Sequence, residues 1–306
     1  MTPLITPFNP DERAAQILSG YGALDSAPIR DQMPDQHRTF FEGLPYLFVG
    51  ALEERGAPLA TILTGAPGFV RSPDPQTLVI RALPAAIDPT TPGIAVGSDV
   101  ALLGIDLATR RRNRANGMVV AKDEESFTIH VEQSFGNCPK YIQRRSVEAA
   151  TRTPGQLEES RGLDSAARAL VSGADTFFIA SRSRSDMQEV ARVDISHRGG
   201  LPGFVSIAAD GGLTVPDYRG NRYFNTLGNL LGDPRATLLF IDFERGDLLQ
   251  LQGLVTIDWS RGSSSSRLVE RTWHFQVSTS WRRPAAIPLK WQFMDYSTAL
   301  LRDQDR

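Results

Sequence analysis

The sequence predicts a mainly β chain with peripheral helices, in which two related β-regions pack as an intrachain pseudo-dimer. From Leu44 on, seven apolar or alternating runs (PYLFVGAL, PLATILT, GFVRS, TLVIRAL, DVALLGIDL, NGMVVA and SFTIHVE) are broken by Gly and Pro within about ninety positions, as in a small closed or sandwiched β-domain. The pattern returns after Asp175 as DTFFIASRS, EVARVDIS, GFVSIAA, LTVPD, RATLLFIDF and DLLQLQGLVTIDW. Ala66-Pro67-Gly68-Phe69-Val70 recurs as Leu201-Pro202-Gly203-Phe204-Val205, and Leu103 to Gly117 aligns without a gap on Leu239 to Gly253. Two motifs in the same order at nearly one offset point to a duplicated domain rather than a solenoid of short repeats. Two copies in one chain can pack as the halves of an isologous dimer do.

The elements follow in order. Asn9 to Leu18 suits a helix with Pro10 at its first position, acidic Asp11 and Glu12 in the first turn and Gly20 as a stop. Pro34 to Glu42 suits a second, with His37 and Arg38 on a solvated face. These make an N-terminal helical arm over 1–43, followed by a first β-domain over 44–145. A polar, Pro- and Gly-punctuated linker runs from Ser146 to about Gly162, and Asp164 to Val171 reads as a helix ending at Gly173, so 146–174 joins the copies. The second β-domain spans 175–306; within it Gly262 to Ser266 reads as a flexible turn, and TWHFQVS and LKWQFM in the tail read as strands that complete the second barrel or cover the first.

Composition excludes several classes. A chain of 306 residues, 41% hydrophobic and 22% charged, buries a core. Its net charge of -2 gives no general attraction to nucleic acid or an anionic membrane. No apolar run is long enough to cross a membrane and no secretory start is present, so the expected compartment is the cytoplasm. Cys138 is the single cysteine, and the four histidines are scattered, so no metal-ligand spacing arises. Cys138 reads most simply as a small buried hydrophobe.

The chemistry concentrates between Asp194 and Asn229. Gly199-Gly200 beside Arg198 suits a close approach of backbone N–H groups to an anion or a flavin's polar edge, or else a plain turn. Asn225 is a good N-cap ahead of a helix whose buried face is Leu227, Leu230 and Leu231 and whose end is Gly232-Asp233-Pro234. Its N-terminus suits a phosphate, with Asn221, Arg222 and Thr226 as side-chain donors, the neighbouring loop from Asp217 to Asn221 beside it, and Tyr223 as a further cofactor contact. Gln250 and Gln252 share a strand face and either read an isoalloxazine edge or face solvent. His197 is the candidate acid/base group or a ligand contact. The first copy lacks a counterpart to HRG, but carries Arg110, Arg111, Arg112 and Arg114, either a solvated strand edge or the basic wall of an anion cleft. The block from Phe135 to Tyr141, with Lys140, suits a loop reaching the other copy's cleft or an interdomain staple.

DTFFIAS, SHRGGLPGFV, LTVPDYRGNRYFNTLGNLLGDP and LLFIDFERGDLLQLQG resemble the pyridoxamine 5'-phosphate oxidase-like FMN-binding split barrels, and MPDQHRTFF and QSFGNCPKYIQ are similar to the two-barrel branch of that superfamily. The resemblance covers nearly the whole chain. It implies tandem split β-barrels, FMN at the barrel–barrel interface, and oxidoreductase chemistry carried by the flavin on a small-molecule substrate. Pro202, Gly203 and Phe204 would then run beside the flavin. Asn225 and Thr226 stand where the oxidases place an Arg-Lys pair; that pair is absent, and Arg222 and Arg198 are its nearest substitutes. The residues that bind pyridoxal phosphate in the true oxidases have no match. Some relatives bind haem or a deazaflavin instead, and storage or sensing without turnover is the alternative function. A separate reductase or NAD(P)H would supply electrons, since the ferredoxin-reductase module of larger relatives is not seen; a homodimer is left open.

Overall fold

The computed structural model describes residues 7–184, 193–260 and 268–304. The N-terminal arm forms α1 (Pro10–Leu18) and α2 (Asp35–Glu42). Asn9 caps α1 in a capping box with Glu12, each side chain bonding the other's backbone N–H. The seven runs of the first copy become β1 (Tyr46–Leu52), β2 (Pro58–Thr64), β3 (Val70–Arg71), β4 (Thr77–Ile80), β5 (Asp99–Asp106), β6 (Arg111–Lys122) and β7 (Phe127–Gly136). Next come β8 (Arg144–Ala149), β9 (Glu158–Ser160) and α3 (Ser165–Gly173), capped by Asp164. The second copy has β10 (Thr176–Arg182), β11 (Val193–Gly199), β12 (Ser206–Ile207), β13 (Leu213–Tyr218), α4 (Asn225–Gly232), β14 (Arg235–Ile241), β15 (Leu248–Asp258) and β16 (Val269–Arg283). β17 (Leu289–Asp295) and α5 (Thr298–Gln304) follow.

The protein is mainly β, and its two large sheets share one topology. The first runs β2-β1-β5-β6-β7-β4-β3 and the second β11-β10-β14-β15-β16-β13-β12, strand for strand. Their long central hairpins carry a bulge at equivalent places, between Asn116 and Gly117 and between Gln252 and Gly253. A Cβ on Gly117 would overlap the His130 carbonyl and one on Gly253 the Gln276 carbonyl, so the aligned glycines permit the close strand approach at the bend. Such a bulge bends and twists the strand, and each sheet curls into a split barrel.

Each barrel has its own core, around Phe41, Leu47 and Phe127 in the first and Phe177, Trp273 and Phe275 in the second. A third cluster joins them, packing Phe48, Ile62 and Leu103 against Phe178, Ile195 and Leu248. Phe48 pairs with Leu103, as Phe178 does with Leu239, so the two phenylalanines are equivalent positions. Their rings stack on each other at 3.6 Å, which puts them on the axis of the pseudo-dimer.

Several expectations need correction. His37 is buried and its Nδ1 bonds Ser134 Oγ, so it does not lie on a solvated face, while Arg38 is half-buried, donating to Ser72 and pairing with exposed Asp35. The linker is not plain: β8 pairs with β17 in a separate ribbon, and β9 adds to β16. Leu231 is exposed rather than part of the buried face of α4. The first residues of the EVARVDIS run and the Gly262–Ser266 turn lie outside the described residues.

Candidate functional site

A cleft opens along the seam between the copies, lined from one side by Arg112, Arg114, Asn137, Cys138, Lys140 and Tyr141 and from the other by Ser196 to Gly199, Pro216 to Tyr218, Gly220 to Arg222, Phe224 to Leu227 and Glu270. Its enclosed cavity is about 100 Å³, and the rest of the opening is continuous with solvent. The stretch from Asp194 therefore does supply one wall. The other belongs to β6 and the loop after β7, which both reaches across and staples: Tyr141 Oη donates to the Arg219 carbonyl at 2.9 Å, and Gln143 Nε2 to that of Gly200 at 2.8 Å.

β6 projects alternate arginines into this seam. Arg114 is 5% exposed and donates to Asp194 Oδ2 at 2.6 Å and to Ser196 Oγ; Ser196 in turn meets Thr226 Oγ1 at 2.7 Å. Arg112 donates twice to the Cys138 carbonyl, at 3.0 and 2.7 Å, and to His197 Nδ1 at 3.3 Å. Burial, with Arg114 and Arg198 beside it, lowers the Arg112 pKa to about 9. Of the four arginines only Arg111 is exposed, and Arg110 bonds the Ile142 carbonyl. The solvated-edge reading fails for Arg112 and Arg114, which face the cleft.

His197 is 3% exposed and lies edge-on to Phe178. A guanidinium can only donate, so Nδ1 accepts and the ring proton sits on Nε2, which is buried without a protein partner. Burial, then Arg112, Arg198 and Arg145, push its pKa well below the usual histidine value. At neutral pH it is a fixed neutral imidazole, not a titrating acid. Arg198, half-buried, lines the cleft, and its side chain makes no hydrogen bond or ion pair with protein among the described residues; burial lowers its pKa, while Asp217 favours its charge.

The start of α4 differs from expectation in one respect. Phe224, left-handed at φ 61°, stands at the N-cap position and offers no side-chain cap. Asn225 is instead the first helical residue, and its Nδ2 donates to Glu12 Oε1 at 2.5 Å. The N-terminal N–H groups are thus left toward the cleft without a side-chain acceptor from the N-cap residue, where an anion is favoured. Arg222, left-handed at φ 66°, lays its guanidinium 4.0 Å from the Tyr21 ring centre. Asp217 is buried beside Arg271, with Nη1 at 3.4 Å, and burial raises its pKa.

Gly199 and Gly200 are not left-handed. They are glycines because a Cβ would overlap the Tyr141 carbonyl in one case and the Phe204 ring in the other. Pro202 and Gly203 form an exposed turn outside the cleft lining, whereas Phe204 lines it. Tyr223 turns away and packs on Phe8 at 5.6 Å. Gln250 does not line this cleft: it is 2% exposed and donates to the Ala60 carbonyl at 2.7 Å and to Asp88 Oδ1 at 3.2 Å. Gln252, half-buried on the same face, is outside the lining too. Cys138 is half-buried and reduced, and serves through its carbonyl.

The place of Gln250 follows from the shared pairing of the two sheets. Leu103 pairs with Arg114, and its equivalent Leu239 pairs with Gln250, so Gln250 is the counterpart of Arg114 across the axis. Where Arg114 meets Asp194 and Ser196, Gln250 meets β2 and the segment between β4 and β5 that stands in place of α4. Thr61 Oγ1 donates to Asp88 Oδ2 at 2.6 Å, and Thr90 is fully buried. The chain's own Asp88 and Thr90 fill the twin position.

Among the described residues no group of His, Cys, Asp or Glu could hold a metal ion, and no helix is long and apolar enough to cross a membrane. No family model and no curated protein matches the chain. Solved structures similar to it include HupZ of Group A Streptococcus, at 15% identity over 34% of this chain and 94% of that one with a TM-score of 0.28. A FAD-binding protein of Mesorhizobium loti matches at 9% identity over 42% and 97%, TM-score 0.27. The Bacillus subtilis inhibitor of motility matches at 12% identity over 76% and 87%, TM-score 0.24. Likeness at these scores carries no argument about ligand or activity.

Proposed function

We propose that this chain is an FMN-binding flavoprotein, a duplicated split barrel that takes one flavin in the open cleft and acts as an oxidoreductase on a small molecule. The observation that carries the reading is the start of α4, where helix N–H groups without a side-chain cap stand beside Arg198 and Arg222. Neither arginine forms an ion pair with a carboxylate among the described residues, so a phosphate would meet cations not already neutralised. Phe204, Tyr141 and Tyr218 offer aromatic surface, and the His197 ring, held neutral, adds polarity without charge. When bound, the flavin would supply the electron chemistry; the chain's residues hold its phosphate, orient the ring and wall off water. A reductase or NAD(P)H is the proposed electron donor.

Fluorescence titration with FMN tests this. Quenching with saturable 1:1 uptake is expected, and a protein that leaves FMN fluorescence unchanged would sink the reading. Arg198→Ala should weaken FMN about 10- to 100-fold, the worth of a charge-assisted bond of roughly 1.5–3 kcal/mol, with little loss of stability since the Arg198 side chain makes no hydrogen bond to protein among the described residues. A second reading, flavin storage without turnover, draws on the same neutral His197, which leaves the cleft without a proton donor at that position. Bound FMN that NADH and NADPH fail to reduce would favour storage.

A further inference from the structure

Five cations line the cleft, Arg112, Arg114, Lys140, Arg198 and Arg222, against two carboxylates, Asp217 and Glu270. The carboxylates are answered elsewhere: Arg271 lies 3.4 Å from Asp217 and 3.2 Å from Glu270. Arg114 is answered by Asp194. Four cations remain without a carboxylate ion pair among the described residues, in a chain whose net charge is -2. They stand on two walls. Arg198 and Arg222 belong with the start of α4, while Arg112 and Lys140 belong to β6 and the loop after β7 of the first copy.

A single phosphate at α4 leaves the second pair unmatched. Arg112 has five N–H groups; its hydrogen bonds among the described residues, to the Cys138 carbonyl and to His197, are all to neutral acceptors. Burying a guanidinium without an anion is costly, and the lowered Arg112 pKa, caused by burial and by Arg114 and Arg198, reflects that cost. Lys140 is exposed at the mouth and its side chain bonds no protein group among the described residues, so its ammonium is available to an anion.

We propose that Arg112 and Lys140 form a second anion subsite that selects a substrate bearing a carboxylate or phosphate group. This rests on the flavin reading for its role as a substrate site, but not for its existence. In calorimetry at low ionic strength, inorganic phosphate should bind ligand-free protein at two sites, and Lys140→Met should weaken one of them about tenfold. Arg112→Met should do the same, and Lys140→Met keeps the test sound if the half-buried arginine proves necessary for folding. Protein loaded with FMN should retain one anion site, read with phosphate and with acetate as separate probes; uptake of either supports the subsite. A single phosphate site in the ligand-free protein, no effect of Lys140→Met, or loss of all anion uptake on FMN loading would each overturn it. If FMN does not bind but two phosphate sites are counted, the flavin reading fails and the subsite stands.

Discussion

Replacing Arg114 with methionine is expected to lower the stability of the fold by about 3–5 kcal/mol, the cost of stranding one member of a buried ion pair. Both side chains are nearly sealed, Arg114 at 5% and Asp194 at 5% exposure, and they come from different barrels, so the loss falls on the seam. Among the described residues, the Asp194 carboxylate would keep Asn116 Nδ2, at 3.4 Å, as a neutral partner. Ser196 would lose its donor, and with it the geometry that holds Thr226 at the start of α4. Urea unfolding checks this. The Arg114→Met, Asp194→Leu pair should recover much of the loss, because removing both charges removes the stranded one; recovery of nothing would show that the arginine's packing, not its charge, matters.

The second large effect is on pH. Glu12 is 7% exposed and burial raises its pKa from 4.5 to about 7, against the opposing bonds from Asn225 and the Asn9 backbone. Asp194 adds to the rise and Arg114 counters it. The folded state therefore holds this proton more tightly than the unfolded chain does. Stability should be greatest below about pH 4.5 as far as this group is concerned, fall as pH rises toward 7, and level off above it. The span is about 3 kcal/mol at most for a shift of this size. Glu12→Gln should flatten that slope, at a cost of about 1 kcal/mol because an amide N–H must face one of two donors where the carboxylate accepted both. Urea midpoints at pH 5, 6, 7 and 8 measure it, and an unchanged slope in the variant would place the proton elsewhere.

The strands were legible because alternation and Gly/Pro breaks are local signals, and the repeat was legible because both copies keep the same bulge glycine. β8 was hidden: RRSVEA is polar, and its pairing with β17 joins Val147 to Trp291 across a long sequence separation. The cleft was half legible. HRG and the loop after Asp217 marked one wall, but the role of Asn225 depended on Glu12, 213 residues away. Alternation puts Gln250 and Gln252 on one face, yet nothing local says that this face meets the other barrel. Its alignment with Arg114 was the available clue: an arginine and a glutamine at twin positions, each too long and polar for a barrel core, mark the seam.

The stack of Phe48 on Phe178 has a consequence for behaviour on dilution. In a dimer of separate barrels the same contact would form only above some subunit concentration, and the seam would open as the protein was diluted. Here both rings belong to one chain, so closing the seam is a unimolecular event at a high effective concentration. The pocket should stay assembled at nanomolar protein, and its occupancy should follow ligand concentration alone.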